Sequence, residues 1–406
     1  MSRKERSILN ADNLAKIDTF VHAKGIEGLG DLRPSLITLD LTWNCNLNCT
    51  DCIDSTARDG SAVVLKNQGG DPLQPSRRRC TGELLEFTAA ERIVAYASEQ
   101  GNGVRGIQFM GGETLLYPWI DDVLESCAAR KISVEMVTNG TLIVNHVEAL
   151  AEAFSTPQSA VRVSLNGWES YPTRISCNGG IPKGVLVRDQ VVSGIKALTT
   201  EFHSRGISPA PVFVSTGAFD SVLPDLSDIA REVADAGAAD LVVIRPRNAR
   251  NKQLLRIPSP TDDLLAICKD LTNQIKRTHP EFRVIISENL LVEPEPQPKT
   301  YQPCPSSLFK AVVGADGWLY MCTDHRGVLE ARTVCLKDHD WDFAKAWQSH
   351  ERVLKATNFS PLRHCDELLC LRHEANVKLH ALRCYVQWYE VSLLEIKARK
   401  GEPWTF

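Results

Sequence analysis

An α/β fold built from six strand–helix units is what this sequence predicts, and three observations carry it. From residue 36 to about 280, short β-rich runs alternate with longer amphipathic stretches. Several of those stretches carry helix start and stop chemistry. Polar or glycine-rich clusters follow the apolar runs. Parallel strands joined by helices either spread as an open doubly wound sheet or curve into a barrel. In both, chemistry belongs on the loops that leave the strand C-termini.

The β-rich runs are residues 36–41, 106–110, 132–137, 161–165, 211–215 and 240–244. Between and after them lie helix-like segments at 88–100, 118–130, 143–154, 185–205, 223–236 and 261–278. Thr88 stands three residues before Glu91 in a capping-box spacing, and Pro118 suits a first helical turn. Gly101, Gly206 and Gly237 stand where helices usually stop. Behind the first strand comes a cysteine triplet, behind the second Gly111-Gly112-Glu113, and behind the third Thr138-Asn139-Gly140. Ser164-Leu165-Asn166-Gly167 closes the fourth, and Arg245-Pro246-Arg247 follows the sixth. All of these clusters therefore fall on one rim.

Residues 53–86 form a long polar segment leaving the cysteine loop, either a cover for the mouth of the site or a solvated excursion. Residues 1–34 carry one amphipathic stretch around Leu14, Ile17, Phe20 and Val21, which reads as a packing helix. A Pro-rich stretch at 294–305 marks a boundary, and cysteine density rises after it. The expected organisation is a helical extension at 1–34, a catalytic domain at 35–290, a second cysteine-bearing domain at 300–385 and a tail at 386–406.

A chain of 406 residues is too long for one small core, and 43% hydrophobic residues is ordinary for a soluble globular protein. A formal charge of -4 argues against a nucleic-acid surface. The apolar stretches are strand-sized and the start Met1-Ser2-Arg3-Lys4-Glu5-Arg6 is polar, so neither a membrane span nor a secretory signal is expected. Thirteen cysteines in such a chain suggest the reducing cytoplasm, with thiols serving metal or catalysis rather than disulfides.

Cys45, Cys49 and Cys52 are spaced C-x3-C-x2-C directly after the first apolar run. Three thiolates on one tight loop hold three irons of a four-iron cubane, whose full ligation normally takes four cysteines. The remaining iron is then open to something that is not protein. Paired glycines let a backbone edge approach a ligand closely, and a neighbouring carboxylate such as Glu113 accepts hydrogen bonds from an ammonium group.

Residues Cys45-Asn46-Leu47-Asn48-Cys49-Thr50-Asp51-Cys52, Gly111-Gly112-Glu113 and the strand-end clusters resemble the radical S-adenosylmethionine (SAM) enzymes. The resemblance covers roughly residues 35–250, with an extension at 300–385. It implies a partial (β/α)6 TIM-like barrel with a [4Fe–4S] cluster on Cys45, Cys49 and Cys52, whose open iron binds the amino and carboxylate groups of SAM. One electron from the cluster then yields a 5′-deoxyadenosyl radical that abstracts hydrogen from substrate. A flavodoxin- or ferredoxin-type reductant is implied as well. The amino-group contact falls on Gly111, Gly112 and Glu113. Thr138, Asn139, Ser164, Asn166 and Arg245 hold positions for ribose or carboxylate contacts. In the family the residue before the third cysteine is commonly aromatic and seats adenine; here it is Asp51. Trp43 and Ile53 are the substitutes in reach, and Trp43 reads as a packing residue at the strand end.

Beyond residue 300, Ala315-Asp316-Gly317 reads as a hairpin turn between short β runs at 311–313 and 318–321. That turn brings Cys304 and Cys322 towards one site, and Cys365-x4-Cys370 supplies two more thiolates. The pattern resembles the auxiliary-cluster extensions called SPASM and twitch domains, and implies a second [4Fe–4S] cluster on Cys304, Cys322, Cys365 and Cys370. Zinc on the same four cysteines is the rival. Cys335 and Cys384 are spare, each an alternative ligand or a plain thiol. Cys80, Cys127, Cys177 and Cys268 read as structural, and His373 as a hydrogen-bonded wall residue.

The resulting expectation is a radical SAM enzyme acting on a small natural-product substrate, sugar- or aminocyclitol-like, by dehydrogenation, dehydration or epimerisation. With 35 residues before the first strand, no peptide-recognition module is expected there. A ribosomal-peptide maturase is the alternative, and a zinc-stabilised binding protein is the alternative of another class.

Overall fold

Alternation along the strands decides the layering. Ile37, Leu39, Ile107, Phe109, Val134, Met136, Val161 and Val163 are each at most 1% exposed and join the main core against the helices. Burying each such side chain contributes roughly 1.5–3 kcal/mol. Every second residue points the other way, as the pleat requires. The structure is a computed structural model and describes residues 13–47, 83–165, 187–218, 222–245, 261–287, 298–365, 370 and 372–398.

Seven parallel strands lie side by side in chain order: β1 (Leu36–Asp40), β2 (Ile107–Met110), β3 (Val134–Thr138), β4 (Ala160–Ser164), β5 (Val212–Gly217), β6 (Asp240–Ile244) and β7 (Arg283–Ile286). Each unit steps the same way across the sheet, so the order never reverses as it does in a doubly wound sheet. Among the described residues the arc is barrel-like and does not close. Beyond β1 the sheet continues with β8 (Lys310–Val313), parallel to β1, and then the antiparallel β9 (Trp318–Tyr320) and β10 (Arg332–Cys335).

Six of the parallel strands match the expected runs to within two or three residues at each end, and β7 is an addition. It is four residues long and opens with exposed Arg283, whose guanidinium holds buried Asp240 of β6 through two hydrogen bonds of 2.6 and 2.8 Å. A charged, short strand suits a sheet edge.

The helices are Phe87–Ser98, Ile120–Ala129, Val147–Ala153, Val187–Ser204, Leu226–Asp235 and Thr261–Ile275. Ala89, Ala90, Ile93, Val94 and Ala97 form the inward stripe of the first. Its expected capping box does not form. The helix starts at Phe87 without a side-chain cap, and Glu91 instead accepts from Ser126 of the next helix at 3.0 Å. Gly206 and Gly237 do end helices, at φ 76 and 86.

The extension shares structure with both ends of the chain. The second core joins Phe20, Val21, Leu29 and Leu32 to Leu308, Phe309, Tyr320, Met321, Val353 and Leu379. Helix His373–Ala398 packs on helix Leu14–His22, with Arg383 donating to the carbonyls of Phe20 and Ala23 at 3.0 Å each. It runs through position 386, the expected start of a C-terminal tail.

Candidate functional site

Three loops at the C-terminal ends of β1, β2 and β3 are tied into one unit. Cys45 is 8% exposed, and its sulfur is met by the amide N–H of Leu47 at 3.5 Å and Asn139 Nδ2 at 3.9 Å. The fully buried Asn46 donates to Thr141 Oγ1 at 2.9 Å and accepts from Asn139 Nδ2 at 2.9 Å. Asn139 Oδ1 in turn accepts from Thr141 N and Oγ1.

Glu113 anchors that unit from beneath. Its Oε1 accepts from Thr138 Oγ1 at 2.6 Å and Leu115 N at 3.1 Å, and its Oε2 accepts from Asn139 N at 2.7 Å. Burial raises the Glu113 pKa, with the three hydrogen bonds working against that rise. Gly112 N donates to Thr42 O, and Glu113 N to Asn44 O. A Cβ on Gly111 would lie 2.4 Å from Thr42 O, and one on Gly112 would lie 2.0 Å from Asn44 O. The glycines thus admit the backbone of the cysteine loop. Glu113 faces protein donors on both oxygens.

Thr138 is buried, Ser164 half-buried at the end of β4, and Arg245 buried directly after β6. They share the rim with Cys45, Gly111 and Asn139. Cys49, Cys52, Asn166, Asp51 and Ile53 lie outside the described residues. Trp43 is a packing residue, as expected: it belongs to the second core, and its Nε1 donates to Asp40 at 2.9 Å. A buried sulfur met by N–H groups suits a cluster ligand, because such donors hold thiolate charge.

Cys304, Cys322, Cys365 and Cys370 come together in the extension. The thiol of Cys304 is held well above its usual pKa, first by burial and then by Cys370, Cys365 and Cys322. Burial likewise pushes Cys322 up to about 11, and raises Cys365 and Cys370. Buried thiolates that repel one another need a cation among them, and that donor set fits a metal or cluster. Among the described residues, no three Cys, His, Asp or Glu side chains gather tightly enough for a single ion. One zinc would need its four sulfurs at about 3.8 Å from each other.

The two spare cysteines stand apart. Cys335 interacts with Lys337, Asp338 and Asp316, and exposed Cys384 with His380. Cys127 and Cys268 are buried in the main core, where burial pushes their thiols up to about 12 and about 11. Cys80 and Cys177 lie outside the described residues. His373 packs against the Tyr301 ring at 5.7 Å, and its buried Nδ1 has no hydrogen-bond partner among the described residues.

Four features escape a sequence reading. Asp40 and Arg326 form a buried ion pair at 2.6 Å, each at most 3% exposed, that joins the end of β1 to the turn after Cys322. On the side of the sheet away from the helices, Lys310 Nζ and Thr38 Oγ1 both donate to Gln108 Oε1 at 3.0 Å. Gln108 Nε2 donates to Glu135 at 3.2 Å, and Glu135 pairs with Arg162 at 3.3 Å. Burial, with Arg372 adding repulsion, holds the Lys310 pKa well below its ordinary value. His325 and Asn376 complete the set, both buried beside the extension's sulfurs. Strand alternation alone exposes Thr38, Gln108, Glu135 and Arg162 as a polar row; the other partners are distant in sequence.

Comparison with known proteins agrees with this geometry. Residues 41–204 match the model of the Radical SAM superfamily. Over 119 residues the chain is 29% identical to the GTP 3′,8-cyclase of Chlorobaculum tepidum, a match spanning 29% of each protein. Streptococcus suis SuiB bound to S-adenosylmethionine superposes with TM-score 0.54 at 15% identity, over 83% of this chain and 73% of that one. SuiB bound to its precursor peptide SuiA gives 0.54 at 15% identity, over 84% and 73%. At these identities the likeness to SuiB is one of fold. Residues 41–204, the segment from the end of β1 through the helix Val187–Ser204, are thus similar to the Radical SAM superfamily.

Proposed function

We propose that this protein cleaves SAM reductively at a [4Fe–4S] cluster on Cys45, Cys49 and Cys52 and abstracts hydrogen from a small, hydrophilic natural-product substrate. The observation that carries the reading is the buried network of Asn46, Glu113 and Asn139, which fixes Cys45 against the ends of β2 and β3. Bound there, cluster and SAM supply a 5′-deoxyadenosyl radical, and a second [4Fe–4S] cluster on Cys304, Cys322, Cys365 and Cys370 supplies a one-electron partner.

The protein's own residues bind and orient. Thr138, Asn139, Ser164 and Arg245 stand on the rim where SAM would bind, and Asn166, two residues after Ser164 in sequence, is assigned to the same role. Gly111 and Gly112 admit the cysteine loop, and Glu113 holds it. The wall formed by Thr38, Gln108, Glu135, Arg162 and Lys310 presents alternating donors and acceptors. Such a wall favours a substrate rich in hydroxyl or amino groups over an apolar peptide segment. A flavodoxin- or ferredoxin-type protein is the electron donor, and a cytoplasmic site suits the free thiols. No helix among the described residues is long and apolar enough to cross a membrane.

The test is anaerobic reconstitution followed by metal and sulfide analysis, then assay of 5′-deoxyadenosine after reduction with SAM. About eight irons per chain are expected for two cubanes. Replacing Cys45, Cys49 and Cys52 by Ala abolishes 5′-deoxyadenosine and leaves iron at the second site. A colourless protein holding stoichiometric zinc refutes the proposal.

A further inference from the structure

Each sulfur of the C-terminal site lies against one of two buried side chains. His325 spans Cys322, whose Sγ is 3.0 Å from its Nδ1, and Cys365, whose Sγ is 4.0 Å from its Nε2. Asn376 spans the other pair, with Nδ2 at 3.6 Å from Cys304 Sγ and 4.0 Å from Cys370 Sγ.

The orientation of the Asn376 amide follows from its surroundings. Its side-chain oxygen lies 3.0 Å from the backbone nitrogen of Ser306 and 2.6 Å from Ser306 Oγ. A backbone N–H is an obligate donor, so the atom facing it is the oxygen, and the NH2 group faces the sulfurs. Nδ2 also reaches Tyr301 OH at 3.3 Å. Asn376 is 0% exposed and stands in the first turn of helix His373–Ala398, three residues after the helix starts. It donates in every protonation state. His325 does not, because the carbonyl of His364 at 3.1 Å claims the proton on Nε2 and leaves Nδ1 an acceptor in the neutral ring.

We infer that Asn376 is a positioning residue of the second site, holding an N–H donor over Cys304 and Cys370 that makes a four-iron cluster there easier to reduce. The inference rests on the reading of this site as a cluster holder. N–H···S bonds stabilise the more negative reduced state more than the oxidised one, and this is an established lever on cluster potential. The donor therefore tunes the second cluster as an electron acceptor.

The experiment is an anaerobic, EPR-monitored redox titration of the full chain carrying Cys49→Ala and Cys52→Ala, so that the signal comes from the second site. Iron and sulfide are measured on every sample. Asn376→Leu is expected to retain the cluster and make its reduction about tenfold less favourable, about 59 mV for a one-electron couple. Ser306→Ala removes a partner of the amide oxygen and leaves the donor, and its midpoint is expected to stay within about twofold.

An unchanged midpoint in Asn376→Leu with full iron overturns the inference. Where Leu costs the cluster, Asn376→Ala is the variant to titrate, since it removes the donor without added bulk and without placing a charge beside the sulfurs. A lowered midpoint supports the inference and an unchanged one overturns it. Loss of iron from both variants assigns Asn376 to assembly alone, which also overturns it. Absence of iron at this site in the unsubstituted Asn376 background refutes instead the cluster reading beneath it.

Discussion

Removing Arg326 should loosen a loop that lies far from it in the chain. Its guanidinium sits 2.6 Å from Asp40 with both side chains almost wholly buried, and the other carboxylate oxygen holds Trp43 Nε1 at 2.9 Å. Charge centres about 4 Å apart attract by about 4 kcal/mol at an effective dielectric constant of 20. Removing one member strands the other charge in the interior, at a typical cost of 3–5 kcal/mol. Arg326→Leu is therefore expected to destabilise the chain by about 4 kcal/mol, and Asp40→Leu by a similar amount. The double variant, with neither charge left behind, is expected to lose less than either single variant. Urea unfolding by circular dichroism reads the stability, and iron per chain after anaerobic reconstitution reads the sites. Because Asp40 and Trp43 lead into Cys45, Arg326→Leu should lower iron retention at the first site although it stands beside the second. Unfolding at the unaltered urea concentration with full iron at both sites would refute the reasoning.

Glu113→Gln should also be costly, since both carboxylate oxygens face backbone N–H groups, Leu115 on one and Asn139 on the other. An amide satisfies only one of them and turns its own NH2 towards the second, a loss of about 1–3 kcal/mol that urea unfolding detects, with 5′-deoxyadenosine formation falling in parallel. A pH effect is expected at Lys16, where burial, and then repulsion from Arg105 and Arg33, lowers the pKa to about 8 from 10.5. The unfolded chain holds that proton over the interval and the folded chain does not, so the Lys16 contribution raises stability as pH climbs from about 8 to 10.5. Urea midpoints measured across that interval should rise less steeply in Lys16→Met.

Six parallel strands and their helices are legible because each strand is a compact apolar run ended by glycine, asparagine or arginine. The seventh, β7, is not, since Arg283-Val284-Ile285-Ile286 offers three apolar residues after a charged turn and gains its place by pairing with β6. The convergence of Cys304, Cys322, Cys365 and Cys370 is legible from the Asp316-Gly317 hairpin and the close spacing of the last two. The roles around Gly111, Gly112 and Glu113 are only half legible. Composition marks a place where a Cβ is not tolerated, but not that the backbone of the cysteine loop lies against it. Arg326, Lys310 and Asn376 meet partners 286, 202 and 72 residues away, and no local pattern announces such meetings.

The register of β8 along β1, from Leu36 opposite Lys310 to Leu39 opposite Val313, has a mechanical consequence. Cys45 beyond β1 and Cys304 ahead of β8, the first ligands of the two proposed clusters, ride one continuous hydrogen-bonded plate that resists their drifting apart. Their separation is cast when the chain folds, like electrodes sealed into a single cell.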